Sequence, residues 1–340
     1  MTLDPVDLTR QLIDIESTTY NEGAVGAFLA EFLAARDFEV EKMHVASKGE
    51  DGAATDRFNV YATVPGERPE VVFSTHMDTV PPYFASSEDD ETIYGRGACD
   101  AKGIIAAQIA AVERLRAGGV QAGMLFVVGE ERDSKGAEVA NLQPKGNRYL
   151  INGEPTDNRL GIASKGVLRG AVRATGKMAH SAYPELGDSA VHKLIQALHN
   201  VLEIELPKEA GIGASNLNIG LIEGGRAPNV IADKAEAQVM VRLVGPSDDT
   251  RAALEKAIAG LAEMEYTLEI PFMRFRTIEG METMVASFAT DIPALTNWGE
   301  PLLLGPGSIH VAHTPDEKLA KRELLKAIDL YTEIASKLVA

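Results

Sequence analysis

Five short strings in this sequence present side chains that bind cations. Ser-Thr-His-Met-Asp-Thr-Val holds His76 and Asp78, and Gly-Arg-Gly-Ala-Cys-Asp-Ala-Lys-Gly holds Asp100. Gly-Glu-Glu holds Glu130 and Glu131, Asn-Gly-Glu-Pro holds Glu154, and Ala-His-Thr-Pro-Asp-Glu holds His313. Two imidazoles (His76, His313) and three carboxylates (Asp100, Glu131, Glu154) suit two divalent metal ions joined by a bridging carboxylate. Zinc fits first, with cobalt and manganese as substitutes. Glu130 sits beside a candidate ligand and is left over to act as a base. The set points to hydrolysis of an amide by a metal-activated water.

Each position has a local reason. In an extended chain His76 and Asp78 lie on one face, where a carboxylate can hold the second ring nitrogen of the histidine and raise its basicity. Glycines before Asp100 allow the sharp backbone that brings a carboxylate between two cations; Asp100 also suits the N-cap of a following helix. The neighbours Glu130 and Glu131 repel unless something positive lies near. Read chemically, Glu131 goes to a metal, while Glu130 takes a proton from the attacking water and passes it to the leaving amine. Gly153 and Pro155 constrain Glu154. The turn Gly305-Pro306-Gly307 can present N–H groups to an anion, making Gly305 and Gly307 candidates for substrate binding. His310 rivals His313, and spacing alone does not choose between them. Cys99 reads as a small buried side chain and Trp298 as a packing residue. His44, His192 and His199 read as surface or helix residues.

The elements around these strings are α/β. Residues 5–17 and 22–36 have helical spacing of apolar side chains. Residues 58–64 alternate like a strand, and residues 71–75 form the short apolar run of a buried strand. His76 and Asp78 then fall just past a strand's carboxyl end, where open α/β sheets bind ligands. A helix is predicted over 102–116, directly after Asp100. Buried strands are predicted over 124–128, before Glu130-Glu131, and over 149–151, before Glu154. After about residue 164 the order becomes strand 167–175, helix 188–202, strands 216–223 and 235–243, helix 250–264 and strand 266–275. That β-α-β-β-α-β order is the ferredoxin-like split motif. The expected fold class is α/β: a mixed-sheet catalytic domain of residues 1–164 and 276–340, interrupted by an α+β domain of residues 165–275. A long amphipathic helix is expected from Asp316 onward.

Composition excludes other classes. The 340 residues are 45% hydrophobic and 24% charged, as in an ordinary globular protein, and the formal net charge is −17. That charge argues against nucleic acid and anionic membrane surfaces as partners. No apolar run reaches the roughly 18 residues that span a bilayer. The first residues lack the basic region and apolar core of a signal peptide. Cys99 is the single cysteine, so no intramolecular disulfide can form. A cytoplasmic location is expected.

Taken together, His-Met-Asp-Thr-Val-Pro, Gly-Arg-Gly-Ala-Cys-Asp-Ala-Lys-Gly, Gly-Glu-Glu, Gly-Glu-Pro and Ala-His-Thr-Pro-Asp-Glu are specific. Over essentially its full length the chain resembles the dinuclear zinc aminoacylase and carboxypeptidase family. That family includes acetylornithine deacetylase, succinyl-diaminopimelate desuccinylase, glutamate carboxypeptidase and several di- and tripeptidases. The resemblance implies that Asp100 bridges two metals, that His76 and Glu154 complete one site, and that Glu131 and His313, rather than His310, complete the other. Asp78 would orient His76, and Glu130 would be the general base. It makes the interrupting domain a lid and dimerisation domain. There, Gly176-Lys177-Met178-Ala179-His180-Ser181 resembles a family string whose His reaches the neighbouring subunit's site, so His180 would polarise the scissile carbonyl in trans. Asn229 and Arg242 match positions that hold the substrate carboxylate.

The expectation is a metal-dependent amide hydrolase that removes the acyl group of an N-acyl amino acid, in the manner of acetylornithine deacetylase. A di- or tripeptidase or carboxypeptidase of the same family is the alternative. A metal-binding protein without activity is a remote alternative, given the full ligand set and Glu130. An iron or manganese enzyme of oxygen chemistry is disfavoured by the base and the carboxylate-binding residues.

Overall fold

The structure, a computed structural model, describes residues 3–46, 49, 52 and 56–340. The chain divides into two compact units. One comprises Met1–Ile162, Phe275–Met284 and Thr290–Ala340; the other comprises Ala163–Arg274 and Val285–Ala289. Among the described residues no helix is long and apolar enough to cross a membrane.

The first unit is built on a six-stranded mixed sheet in the order Glu39–His44, Phe58–Thr63, Ala122–Val127, Val71–His76, Tyr149–Asn152 and Glu300–Leu303. Val71–His76 runs parallel to both its neighbours, and Glu300–Leu303 is parallel to Tyr149–Asn152. Phe58–Thr63 is antiparallel to Ala122–Val127. Every residue of Val71–His76 is buried because both faces are covered. Val71 and Phe73 join one apolar cluster and Val72 another, on which Trp298 packs. Residues 58–63 are likewise buried throughout, so the alternation expected of them is absent: they sit inside the sheet, not on a half-wet edge.

The helix Lys102–Ala117 is buried on nearly all sides. It is packed against the sheet and against the helices Pro5–Ile13 and Lys321–Val339. The last helix begins at Lys321, not near Asp316, because Lys318–Ala320 first pair with Thr92–Tyr94 as a strand. Its buried stripe is Leu324, Ala327, Ile328, Tyr331, Ile334, Ala335 and Leu338, at helical spacing. Within it, the Tyr331 hydroxyl donates to the Leu304 carbonyl at 2.7 Å.

The second unit holds a four-stranded antiparallel sheet in the order Asn216–Gly224, Lys234–Leu243, Gly166–Thr175 and Glu263–Ile270. In Lys234–Leu243, Ala235, Ala237, Val239, Val241 and Leu243 are buried on one side, under the helices Ala190–Leu202 and Asp248–Ile258. The second helix stops at Ile258, earlier than its apolar spacing implied, since Gly260 takes a left-handed turn (φ +76°). The strand that follows ends at Ile270, before Pro271, which has no N–H to give a ladder.

Candidate metal centre

All five expected metal donors lie at the carboxyl ends of sheet strands or on loops beside them. His76 closes its strand, buried, with Nδ1 2.9 Å from the Asp78 backbone carbonyl. A carbonyl only accepts, so Nδ1 carries the proton and Nε2 faces Asp100. The Asp78 carboxylate is 3.5 Å from Nδ1. The same carboxylate also gathers other donors. Oδ1 accepts the N–H groups of Gly129 and Glu130 at 3.0 and 3.1 Å, and Oδ2 accepts the Glu131 N–H at 3.2 Å and the Thr19 hydroxyl at 2.8 Å. Asp78 therefore pins the backbone that carries both glutamates. Burial works against its charge, yet His76, Thr19 and the Glu131 amide hold it below the usual carboxylate range.

Asp100 stands at the middle of the cluster. Oδ1 is 2.9 Å from His76 Nε2, and Oδ2 is 3.3 Å from His313 Nε2. One carboxylate thus offers one oxygen to each imidazole. Burial opposes its ionisation, but His313 and His76 hold it well below the usual range. Asp100 does not cap the helix: Ala101 is the N-cap and no side chain caps the end. His313 Nε2 also lies 3.0 Å from Glu131 Oε1. Asp100 and Glu131 together push His313 up to about 10.

Glu154 is buried, and its Oε1 has no hydrogen-bond partner among the described residues. Burial raises its pKa well above the usual value, with the charges of Asp100, Asp291 and Glu131 adding to it. Glu130 is raised in the same direction by burial first and then by Glu154. Close packing places Glu154. Gly153 leaves no room for a Cβ against Ile104 and Gln108, and Gly305 leaves none against the Glu154 backbone. The Gly305 N–H is spent on Thr156 Oγ1 at 3.0 Å, so it is not a donor for substrate here. Gly307, at φ +83°, lies against Cys99. These two glycines let their loop pack against the segments that carry Glu154 and Cys99.

Three groups of side chains have donor atoms within 4.8 Å of one another: His76, Asp100 and Glu154; Asp100, Glu131 and His313; and His76, Glu130 and Glu131. His310 joins none of them and is exposed. The donor set fits divalent cations. Four carboxylates crowd two imidazoles, and an orphaned buried oxygen on Glu154 points to a missing positive partner.

Around the cluster are residues with no local sequence signal. Arg57 is buried and ion-pairs with Glu22 at 3.1 Å and with Asp133 at 2.8 Å, supporting residues 129–133 from behind. Glu22 is pushed up to about 7 by burial, helped by Asp78. Asp291 is buried beside Ser134, and burial pushes it up to about 7. Only contacts formed across the fold identify these three.

His180, Asn229 and Arg242 belong to the second unit. His180 pairs with Val230 in a short ladder and is exposed, its Nδ1 accepting the Ala182 N–H at 3.1 Å. The Asn229 carbonyl accepts the Ser181 N–H at 3.0 Å. Arg242 is half-buried with no partner among the described residues, and burial lowers its pKa.

A mixed α/β sheet with imidazoles and carboxylates gathered at its strand ends defines a metal-dependent hydrolase of amide bonds. The profile of peptidase family M20/M25/M40 matches residues 72–337, and the chain belongs to that family. It is 38% identical over 340 residues to a peptidase M20 domain-containing protein of Schizosaccharomyces pombe, covering 96% of this chain and 82% of that one. It is 37% identical over 364 residues to a protein of Aspergillus terreus named probable carboxypeptidase, covering 96% and 84%. Its fold is similar to that of aminopeptidase PepT from Bacillus cereus, with a TM-score of 0.80 at 20% identity over 99% of this chain and 98% of that one.

Proposed function

We propose that the protein releases an amino acid with a free carboxylate from its N-acyl derivative, the acyl group being acetyl or a similar small acid. The observation that carries this reading is Asp100, whose two oxygens each face one imidazole, with Glu130 in the same cluster. In this reading His76, Asp100 and Glu154 hold one divalent ion, and Asp100, Glu131 and His313 hold a second. Bound there, such ions supply a Lewis acid and lower the pKa of a water to about 7.

The chain's own groups do the rest. Glu130 accepts a proton from the attacking water as the new C–O bond forms. It returns that proton to the nitrogen as the C–N bond breaks, and ends as it began. Asp100 fixes the spacing of the two donor groups. The guanidinium of Arg242, without a partner among the described residues, and Asn229 support a role in taking the substrate carboxylate. His180 is assigned to the carbonyl oxygen by resemblance alone.

A second reading, a carboxypeptidase or a di- or tripeptidase, is favoured by the name of the Aspergillus relative. One experiment separates the two. Chelator-stripped protein is reloaded with zinc or cobalt and given N-acetyl, N-succinyl and N-formyl amino acids beside dipeptides, with amine release measured. Metal-restored cleavage of an acyl amino acid is expected. Cleavage of dipeptides alone would replace the deacylase by the peptidase, and no cleavage by metal-loaded protein would count against both.

A homodimer through the second unit is part of the proposal. Asn216–Gly224 is an edge strand, and its Leu221 and Ile222 are exposed, which in an unpaired edge invites pairing with a second copy. Sedimentation is expected to find a dimer; a fully active monomer would remove the trans role of His180.

A further inference from the structure

The loop that carries Asp100 sends four of its donors to one buried residue, Glu317. Its backbone carbonyl accepts the Gly95 N–H at 3.2 Å. Its Oε1 accepts the Gly97 N–H at 2.9 Å and the Asp100 N–H at 3.2 Å, and its Oε2 accepts Arg96 Nη1 at 2.5 Å. Gly97, at φ +89°, can aim its amide inward at no steric cost. Arg96 and Glu317 are 2% and 1% exposed, so this is an ion pair out of water. Arg96 also reaches the Pro82 carbonyl at 3.2 Å and stacks over the Phe84 ring.

Glu317 lies four residues beyond His313, directly after the turn that carries it. The Thr314 hydroxyl donates to the Val311 carbonyl at 2.7 Å, and the Asp316 N–H donates to Thr314 Oγ1 at 3.2 Å. His313 itself sits at φ +63° with a side chain 49% exposed, so little packing holds it. The other donors are anchored otherwise: His76 ends a central strand, and Glu154 follows a strand parallel to it. A buried ion pair rarely adds net stability over an apolar substitute. Its place beside two donor segments therefore points to another role.

We propose that Glu317, held by Arg96, is a positioning residue that fixes the Asp100 loop against the His313 turn and so sets the affinity of the cation held by Asp100, Glu131 and His313. The proposal rests on the metal reading above. It predicts an asymmetry: the ion at His76, Asp100 and Glu154 depends on Glu317 less, because two of its three donors are set by the sheet.

The test is cobalt(II) titration of chelator-stripped wild type, Glu317→Gln and Arg96→Lys, followed by visible absorption, with thermal melts of the metal-free forms. In Glu317→Gln one acceptor oxygen becomes an NH₂ group, which must face either the Arg96 guanidinium or the two amides. Wild type is expected to bind two equivalents. In Glu317→Gln one of the two equivalents is expected to bind about tenfold to a hundredfold less tightly, the range for a lost supporting hydrogen bond, with the other little changed and the metal-free melt kept. Arg96→Lys keeps the charge but not the fork, and severalfold weakening of the same equivalent is expected. Unchanged affinity for both equivalents in folded Glu317→Gln would overturn the proposal; if that variant does not fold, unchanged affinity in Arg96→Lys would overturn it instead. Equal weakening of both equivalents with a much lower metal-free melt would make the pair an element of the fold only. A wild type that binds no cobalt would instead sink the metal reading itself.

Discussion

Glu130→Gln is expected to lower kcat by about 10²–10⁴-fold, the contribution of a positioned general base, with metal content at the wild-type level. Gln keeps the length and shape of Glu130 but has no oxygen basic enough to take a proton. The backbone there is untouched, because the Glu130 N–H, not its side chain, is bonded to Asp78. The measurement pairs steady-state kinetics on the substrate found in the panel with elemental analysis of the purified variant. The two readouts separate the alternatives. The carboxylate of Glu130 also lies within 4.8 Å of donor atoms on His76 and Glu131. A fall in metal content equal to the fall in activity would make Glu130 a ligand. Near-normal turnover at full metal content would remove it from the proton path.

His76, Glu131 and Glu154 were legible as candidates because each follows a buried apolar run, whereas His313 was chosen over His310 by the family resemblance alone. Val71 to Thr75 read as a buried strand since both faces of the central sheet are covered, and His76 follows it directly. The edges were not legible. Glu39–His44 buries only Met43, so no run or alternation marked it as a strand. Glu300–Leu303 contains Pro301, which a sheet tolerates at an edge strand such as this one. The supporting shell was hidden for a different reason. Arg57 meets Glu22 and Asp133 across 35 and 76 residues, and Glu317 meets Arg96 across 221. Such pairs leave no periodic trace. Asp78 was found by its spacing from His76, but its larger task depends on the fold bringing residues 129–131 to its two oxygens.

That task makes Asp78→Asn the most informative substitution outside the metal donors. Both oxygens of Asp78 are full: two amides on Oδ1, an amide and a hydroxyl on Oδ2. In Asn one of them becomes a donor. The Thr19 hydroxyl can rotate and accept from it; a backbone amide cannot. The lower-energy arrangement turns the new NH₂ toward Thr19, leaving the part-buried Glu131 N–H without its acceptor, at a cost of about 1 kcal/mol, the low end for an unmade bond. Part of this is offset, because Glu22 and Asp291 are both pushed up to about 7 with the charge of Asp78 among the causes. Stability is thus the weaker readout and metal affinity the stronger. The residue set adrift is Glu131, a donor of the Asp100–Glu131–His313 group, and a loss of about tenfold to a hundredfold in affinity is expected there. The pH dependence carries a sign. The folded Asp78 carboxyl lies below its unfolded value, so its stabilisation is full above about pH 4 and is lost as pH falls toward the folded pKa. Any deficit of metal-free Asp78→Asn against metal-free wild type, measured by denaturant unfolding, should therefore be larger at pH 7 than at pH 3. A folded variant that binds both ions as tightly as wild type would show that the hold of Asp78 on residues 129–131 does not set the metal geometry.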